Sequence, residues 1–163
     1  MVNKNIIFLR ECQYLIRKIL VPVDGSDISD KVLDFALDFA GTFDAKITIL
    51  NVTEPPTMGA VPMEPTTVSN DSMVVFINNL KKFHEEVLAK AIAHSKLVKP
   101  NSEVSTKLRE GDPALEIVAE AKEGGFDLIV VGHRGLGRVE ELFLGSVSER
   151  VAHLAPCPVV IVR

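Results

Sequence analysis

KILVPVDGSDISDKVLDFALDFAGTFDAKITILNVTE, Lys18 to Glu54, reads as a strand, a helix and a second strand in succession. KILVP is a short continuous apolar run closed by Pro22, Asp24 and Gly25, the pattern of a strand buried on both faces. After it, Val32, Phe35, Ala36, Phe39 and Ala40 recur at helical spacing, with Ser26 or Asp27 as the expected N-cap and Gly41 as the expected stop. AKITILNVTE then repeats the apolar strand pattern. A second strand reached through a helix implies a parallel, right-handed crossover.

The same alternation continues to the end of the chain. Residues 53 to 70 carry Pro55, Pro56, Pro62 and Pro65 without periodicity, as a long loop or lid would. A long helix is expected from about Asp71, with Phe76, Leu80, Phe83, Val87 and Ala91 on its apolar face. EVSTKLREG alternates at Val104, Thr106 and Leu108, which suits a half-covered edge strand. Asp112 as N-cap, Pro113 in the first turn and Gly124 as stop delimit a third helix. FDLIVVG is a fourth strand, a helix from about Ser146 to Ala155 follows, and PCPVVIVR is the fifth strand. The order β-α-β-α-β-α-β-α-β predicts a single-domain α/β fold, an open parallel five-stranded sheet with helices on both faces.

A chain of 163 residues is long enough to bury a core without disulfides. Its 47% apolar and 25% charged residues are those of an ordinary globular domain. The net charge of -4 argues against duplex nucleic acid, because Lys81, Lys82, Arg134 and Arg138 are interleaved with Glu rather than clustered. Cys12 and Cys157 lie far apart without ligand-like spacing and read as free thiols of a reducing cytoplasm. The apolar run Ile6 to Leu9 is too short for a secretory signal, and no stretch approaches the roughly 18 apolar residues that span a bilayer. No membrane association is expected.

In doubly wound sheets, ligands bind beyond the carboxyl ends of the strands, where the strand order reverses. Asp24 and Gly132 leave the first and fourth strands there. Gly132, Gly135 and Gly137 can present unobstructed backbone N–H groups, and Gly145-Ser146-Val147-Ser148 opens the next helix. A helix start favours anions, so the two elements together suit a polyphosphate. GHRGLGRV is not a P-loop, since Arg138-Val139 stand where Lys and Ser or Thr are required. Nor is it G-x-G-x-x-G, because the glycines are spaced G-x-x-G-x-G.

The pattern Gly132-x2-Gly135-x9-Gly145-Ser146 resembles the nucleotide motif of the universal stress protein family, in its ATP-binding branch. KILVPVDGS, EGDPALEIV, FDLIVVGHRG and LGSVSERVAHLAPCPVVIVR are similar to that family's blocks in order and spacing. The resemblance covers residues 18–163 and leaves 1–17 as an extension of unassigned role. It implies a Rossmann-like fold akin to the adenine nucleotide alpha hydrolases. It further implies ATP as ligand, with Mg2+ or Mn2+, and specific residue roles. Asp24 would contact the ribose or adenine side with Pro22 and Val23 beside it, and Val52 would lie against adenine. Gly132, His133, Arg134, Gly135, Leu136, Gly137 and Arg138, with Gly145, Ser146, Val147 and Ser148, would hold ribose and phosphates. Antiparallel pairing of Val159, Val160, Ile161 and Val162 with a second copy would make a homodimer and remove an exposed sheet edge.

The function so implied is a nucleotide-dependent regulatory or stress-response module in the cytoplasm, acting on an unidentified protein partner, with little or no hydrolysis. Phosphoryl transfer needs a metal-held phosphate and a group that positions the nucleophile, and the sequence does not assemble that set. Asp24 is read equally well as a ribose acceptor or as a cap of the following turn. His133 is read either as a phosphate contact or as an exposed loop residue. His84 and His94 are ten residues apart on one helix, a spacing that suits surface or helix-face positions and not a metal pair. His153 lies near a helix end, and Cys157 reads as a small buried residue entering the last strand. Two alternatives stand beside this. One is an ATP-dependent enzyme that activates a small substrate, although VDGSDIS lacks the S-G-G-x-D-S loop of such relatives. The other is an interaction protein of the same fold that binds no nucleotide.

Overall fold

The computed structural model of the chain describes residues 16–55, 70–135 and 144–163. Its elements are β1 (Lys18–Pro22), α1 (Asp27–Phe43), β2 (Lys46–Thr53), α2 (Asn70–Val98), β3 (Val104–Glu110), α3 (Pro113–Gly124), β4 (Leu128–Gly132), α4 (Ser146–Leu154) and β5 (Val159–Val162). All strand pairs are parallel, in the order β3-β2-β1-β4-β5. The expected α/β sheet is therefore present, with β3 and β5 at its edges. The proline-rich loop expected over 53 to 70 falls outside the described residues, apart from its ends.

Each central strand splits its side chains between two cores. Ile19, Val21, Ile47, Ile49, Leu128 and Val130 pack against α1 and α2 on one face. Leu20, Leu50, Ile129 and Val131 pack against α3 and α4 on the other. Two-sided burial is why these strands read as unbroken apolar runs. Burying one such side chain contributes about 1.5–3 kcal/mol. The edge strands are less covered, and Thr106 of β3 is exposed. Lys107 and Arg109 of β3 reach across to α3 instead, where Glu120, only 3% exposed, accepts from Lys107 Nζ at 2.6 Å and Arg109 Nη1 at 2.8 Å. Arg109 also binds Glu116 and Glu123, and those three carboxylates hold its guanidinium charge firmly in place. Charge on an edge strand also discourages unwanted pairing.

Several helix ends differ from the sequence expectation. Gly41 does not stop α1, which continues to Phe43, whose ring packs at a tilt against Phe39 with 4.8 Å between centroids. The left-handed residue is Asp44, whose N–H returns to Ala40 O. In α3 the left-handed cap is Gly125, one residue beyond the expected stop. Asp112 caps α3 as expected, accepting from Leu115 N at 3.0 Å. A hydrogen bond from Arg150, seconded by Leu115 N–H, keeps the Asp112 carboxyl below its usual range. The apolar stripe of α2 is buried only in its second half: Val87 and Ala91 are covered, whereas Phe76 and Phe83 are 49% and 46% exposed. A 29-residue helix spans about 43 Å, far more than strands of 4 to 8 residues. Its first turns therefore overshoot the carboxyl ends of the strands.

Gly25 lets α2 close against the β1–α1 turn. It has φ +82, and an added Cβ would lie 2.9 Å from Val87 Cγ2. Gly25→Ala is expected to cost about 1–3 kcal/mol in urea unfolding. Pairing it with Val87→Ala should cost less than the sum of the two single changes, since the lost methyls make room; strictly additive costs would contradict this packing.

Candidate functional site

Between β1 and β4 the connections leave in opposite directions, β1 into α1 on one face and β4 toward α4 on the other. A cleft of about 430 Å³ opens at this switch point, within the range of small-ligand sites. Pro22, Val23 and Asp24 enter it from the end of β1, and Val52 enters from β2. Gly132, Arg134 and Gly135 line it after β4, and Gly145, Ser146, Val147 and Ser148 line it at the start of α4. The structure thus brings those eleven sequence-chosen residues together. Leu136, Gly137 and Arg138 lie outside the described residues.

His133 does not line the cleft. Its Nδ1 donates to Val162 O at 3.2 Å, beside its own N–H to the same carbonyl at 2.8 Å, so it clasps the end of β5. Its carbonyl then faces the other way and accepts from Gly145 N at 2.8 Å and Ser148 Oγ at 3.1 Å. Residue 133 is thereby the pin that holds the β4 turn, the last strand and the start of α4 in one geometry.

The glycines in this turn are there for space. A Cβ on Gly132 would sit 3.0 Å from both Arg134 O and an Ile28 methyl. One on Gly145 would sit 3.1 Å from His133 O and 3.3 Å from Arg134 Cα. One on Gly135 would collide with the Asp24 carboxylate. At Gly132 and Gly145 a Cβ would fit only if neighbouring groups shifted, and at Gly135 the Asp24 side chain would have to turn aside. Gly145 supplies no side-chain cap, and the first helical bond, Glu149 N to Gly145 O, leaves the amides of Ser146, Val147 and Ser148 ahead of it. Whereas α3 has an aspartate on its first turn, α4 presents its N-terminus to the cleft.

Asp24 is drawn into the wall. Its Oδ1 accepts from Ser26 N at 3.0 Å and Ser29 Oγ at 3.1 Å, so of the two sequence readings it fulfils the capping one while still lining the cleft. Sequence reasoning missed Asn51 and His84. Asn51, 2% exposed, donates from Nδ2 to Val23 O at 2.6 Å, and its Oδ1 meets His84 Nδ1. Of the surface and helix-face positions expected for His84, the structure gives the second: it sits half-buried on α2 and lines the cleft, and burial lowers its pKa. A polar residue in the inward register of ITILN, and a histidine four residues after Leu80 and three before Val87, were the available signals. His94 pairs with Asp34 across α1 and α2 at 2.6 Å. Cys157 packs against the second core, and burial together with the Asp127 charge pushes its thiol up, away from nucleophilic character.

Among the described residues no group of three or more His, Cys, Asp or Glu could hold a metal ion, and no helix is long and apolar enough to cross a membrane.

Known proteins place this geometry in a family. The sequence model of the Universal stress protein family matches residues 15–163. The chain is 37% identical over 150 residues to universal stress protein YxiE of Bacillus subtilis, covering 91% of this chain and 100% of that one. It is 35% identical to universal stress protein MJ0531 of Methanocaldococcus jannaschii, over 95% and 86% of the two chains. In fold it matches universal stress protein UspA from Lactobacillus plantarum with a TM-score of 0.73 at 26% identity, over 91% and 98%. A universal stress protein crystallised in complex with cAMP matches with a TM-score of 0.67 at 25% identity, over 91% and 98%. From its family match, its relatives and its doubly wound sheet, the chain belongs to the universal stress protein family.

Proposed function

We propose that the chain is an adenine-nucleotide-binding module whose ligand is ATP and whose bound state biases the engagement of a protein partner in the cytoplasm. The observation that carries this reading is the clasp at the switch point: Gly132 and Gly135, crowded against their neighbours, stand beside an α4 N-terminus whose cap, Gly145, has no side chain. Backbone amides and a helix dipole suit phosphate oxygens. The opposite wall, from Val23, Leu50 and Val52 to Leu80 and Phe83, is apolar and suits a base. The related structure in complex with cAMP supports the nucleotide class.

Gly132, Gly135 and Gly145 to Ser148 would take the phosphates, Arg134 and Arg138 would offset their charge, and Asp24 with Val52 would border ribose and base. Mg2+ or Mn2+ would travel with the phosphates. Little or no hydrolysis is part of the proposal, because Asp24, the carboxylate at the end of β1, has Oδ1 committed to Ser26 and Ser29. A ligand acts as a switch only through unequal affinity for two states, so the partner would have to distinguish the loaded from the empty chain.

Ser146 is exposed at the first position of α4 and lines the cleft, which separates binding from folding. Ser146→Glu places a negative charge where phosphate would sit, yet acidic residues in a first helical turn are stabilising. Calorimetric titration is expected to show ATP affinity falling about tenfold or more, with adenosine little affected and the nucleotide-free melting temperature unchanged or raised. Unaltered ATP affinity would contradict the phosphate site.

The homodimer belongs to the same proposal. Ile129 N and His133 N bond Pro158 O and Val162 O, so by the alternation of a parallel ladder Val159 and Ile161 turn their backbone groups outward. Those groups form an open edge for a second copy. Proline is tolerated at an edge position whose N–H points away from the sheet. Ile161→Pro should halve the mass measured by light scattering at micromolar concentration while unfolding remains cooperative; an unchanged mass would place the contact elsewhere.

A further inference from the structure

Asn51 and His84 form a relay whose chemistry is fixed by its last acceptor. Val23 O can only accept, so the Asn51 amide must present Nδ2 to it and Oδ1 to His84. Oδ1 in turn can only accept, so the proton of the neutral imidazole is on Nδ1. The lone pair is therefore on Nε2. His84 makes no other hydrogen bond among the described residues, and Nε2 is not among their buried unpartnered atoms. Since the ring lines the cleft, Nε2 is the acceptor that it can offer there. Burial pushes the imidazole below its ordinary value, which keeps this acceptor form at neutral pH.

The position of the relay matters as much as its tautomer. The glycine clasp and the α4 N-terminus form the β4 side of the cleft, whereas His84, Leu80 and Phe83 of α2 stand on the β2 side with Val52. With phosphates on the former, the base falls on the latter. We propose that His84 Nε2 is the specificity-determining acceptor of the base site, taking a hydrogen bond from a 6-amino group and so favouring adenine over guanine. This rests on the nucleotide reading above. Guanine would set its O6 against the Nε2 lone pair, leaving two acceptors face to face and unpaired. Asn51 is a positioning residue, because it acts only by holding Nδ1.

The test compares ATP, GTP and purine riboside triphosphate, which lacks the 6-amino group, by calorimetric titration of the full chain. In the unsubstituted protein, loss of the amino group should weaken binding about tenfold, and GTP should be weaker still. In His84→Phe, ATP should lose about tenfold while purine riboside triphosphate is unaffected, so that the two bind alike. His84→Ala gives the same reading if the larger ring is not accommodated. An ATP preference that is absent from the unsubstituted protein, or that survives in both variants, overturns the role of His84 and leaves nucleotide binding intact. Failure of all three triphosphates to bind overturns the nucleotide reading, and this inference with it.

Discussion

The structure depends on the close approach of three backbone segments where β1 and β4 diverge. Strand order β3-β2-β1-β4-β5 forces a crevice at that point, because the chain leaves β1 and β4 for opposite faces. Such a crevice would be a shallow groove if side chains propped it open. Instead Gly132, Gly135 and Gly145 allow the β4 turn to reach both Asp24 and α4. The His133 carbonyl and N–H then pin that turn between α4 and the last strand. Backbone polar groups so arranged would cost little to reorganise for an anion, since their positions are set by the sheet.

The fold was legible because its signal is redundant. Apolar runs and the order of the elements agree from Lys18 to the last strand, and a two-sided buried strand such as Leu128–Gly132 admits few alternatives. What failed were boundaries governed by tertiary contacts. Gly41 has nothing within 4 Å of an added Cβ, so no local constraint makes it a terminator, and the tilted contact of Phe43 with Phe39 accompanies α1 onward. The apolar stripe on α2 is one face, as its spacing implies, but only Val87 and Ala91 are covered, while Leu80 and Phe83 line the cleft and Phe76 is exposed.

The site was legible in part for the same reason. Glycines spaced around a strand and a helix start are visible in sequence, and they converge as that spacing implies. Asn51 and His84 are 33 residues apart and meet only because α2 packs on β2. Neither residue has a motif. Their significance comes from burial, which makes an unpaired amide costly and so fixes every donor and acceptor in the relay. His133 shows the converse: its place in a signature block suggested a ligand contact, whereas its ring is occupied by Val162.

The most direct measurement of the central claim is an amide-resolved NMR titration of the nucleotide-stripped chain with ATP. The largest shifts are expected at Gly132, Gly135 and Gly145 to Ser148, with a second group at Val23 and Val52 across the cleft. Shifts confined to another surface, or none at millimolar ATP, would contradict it.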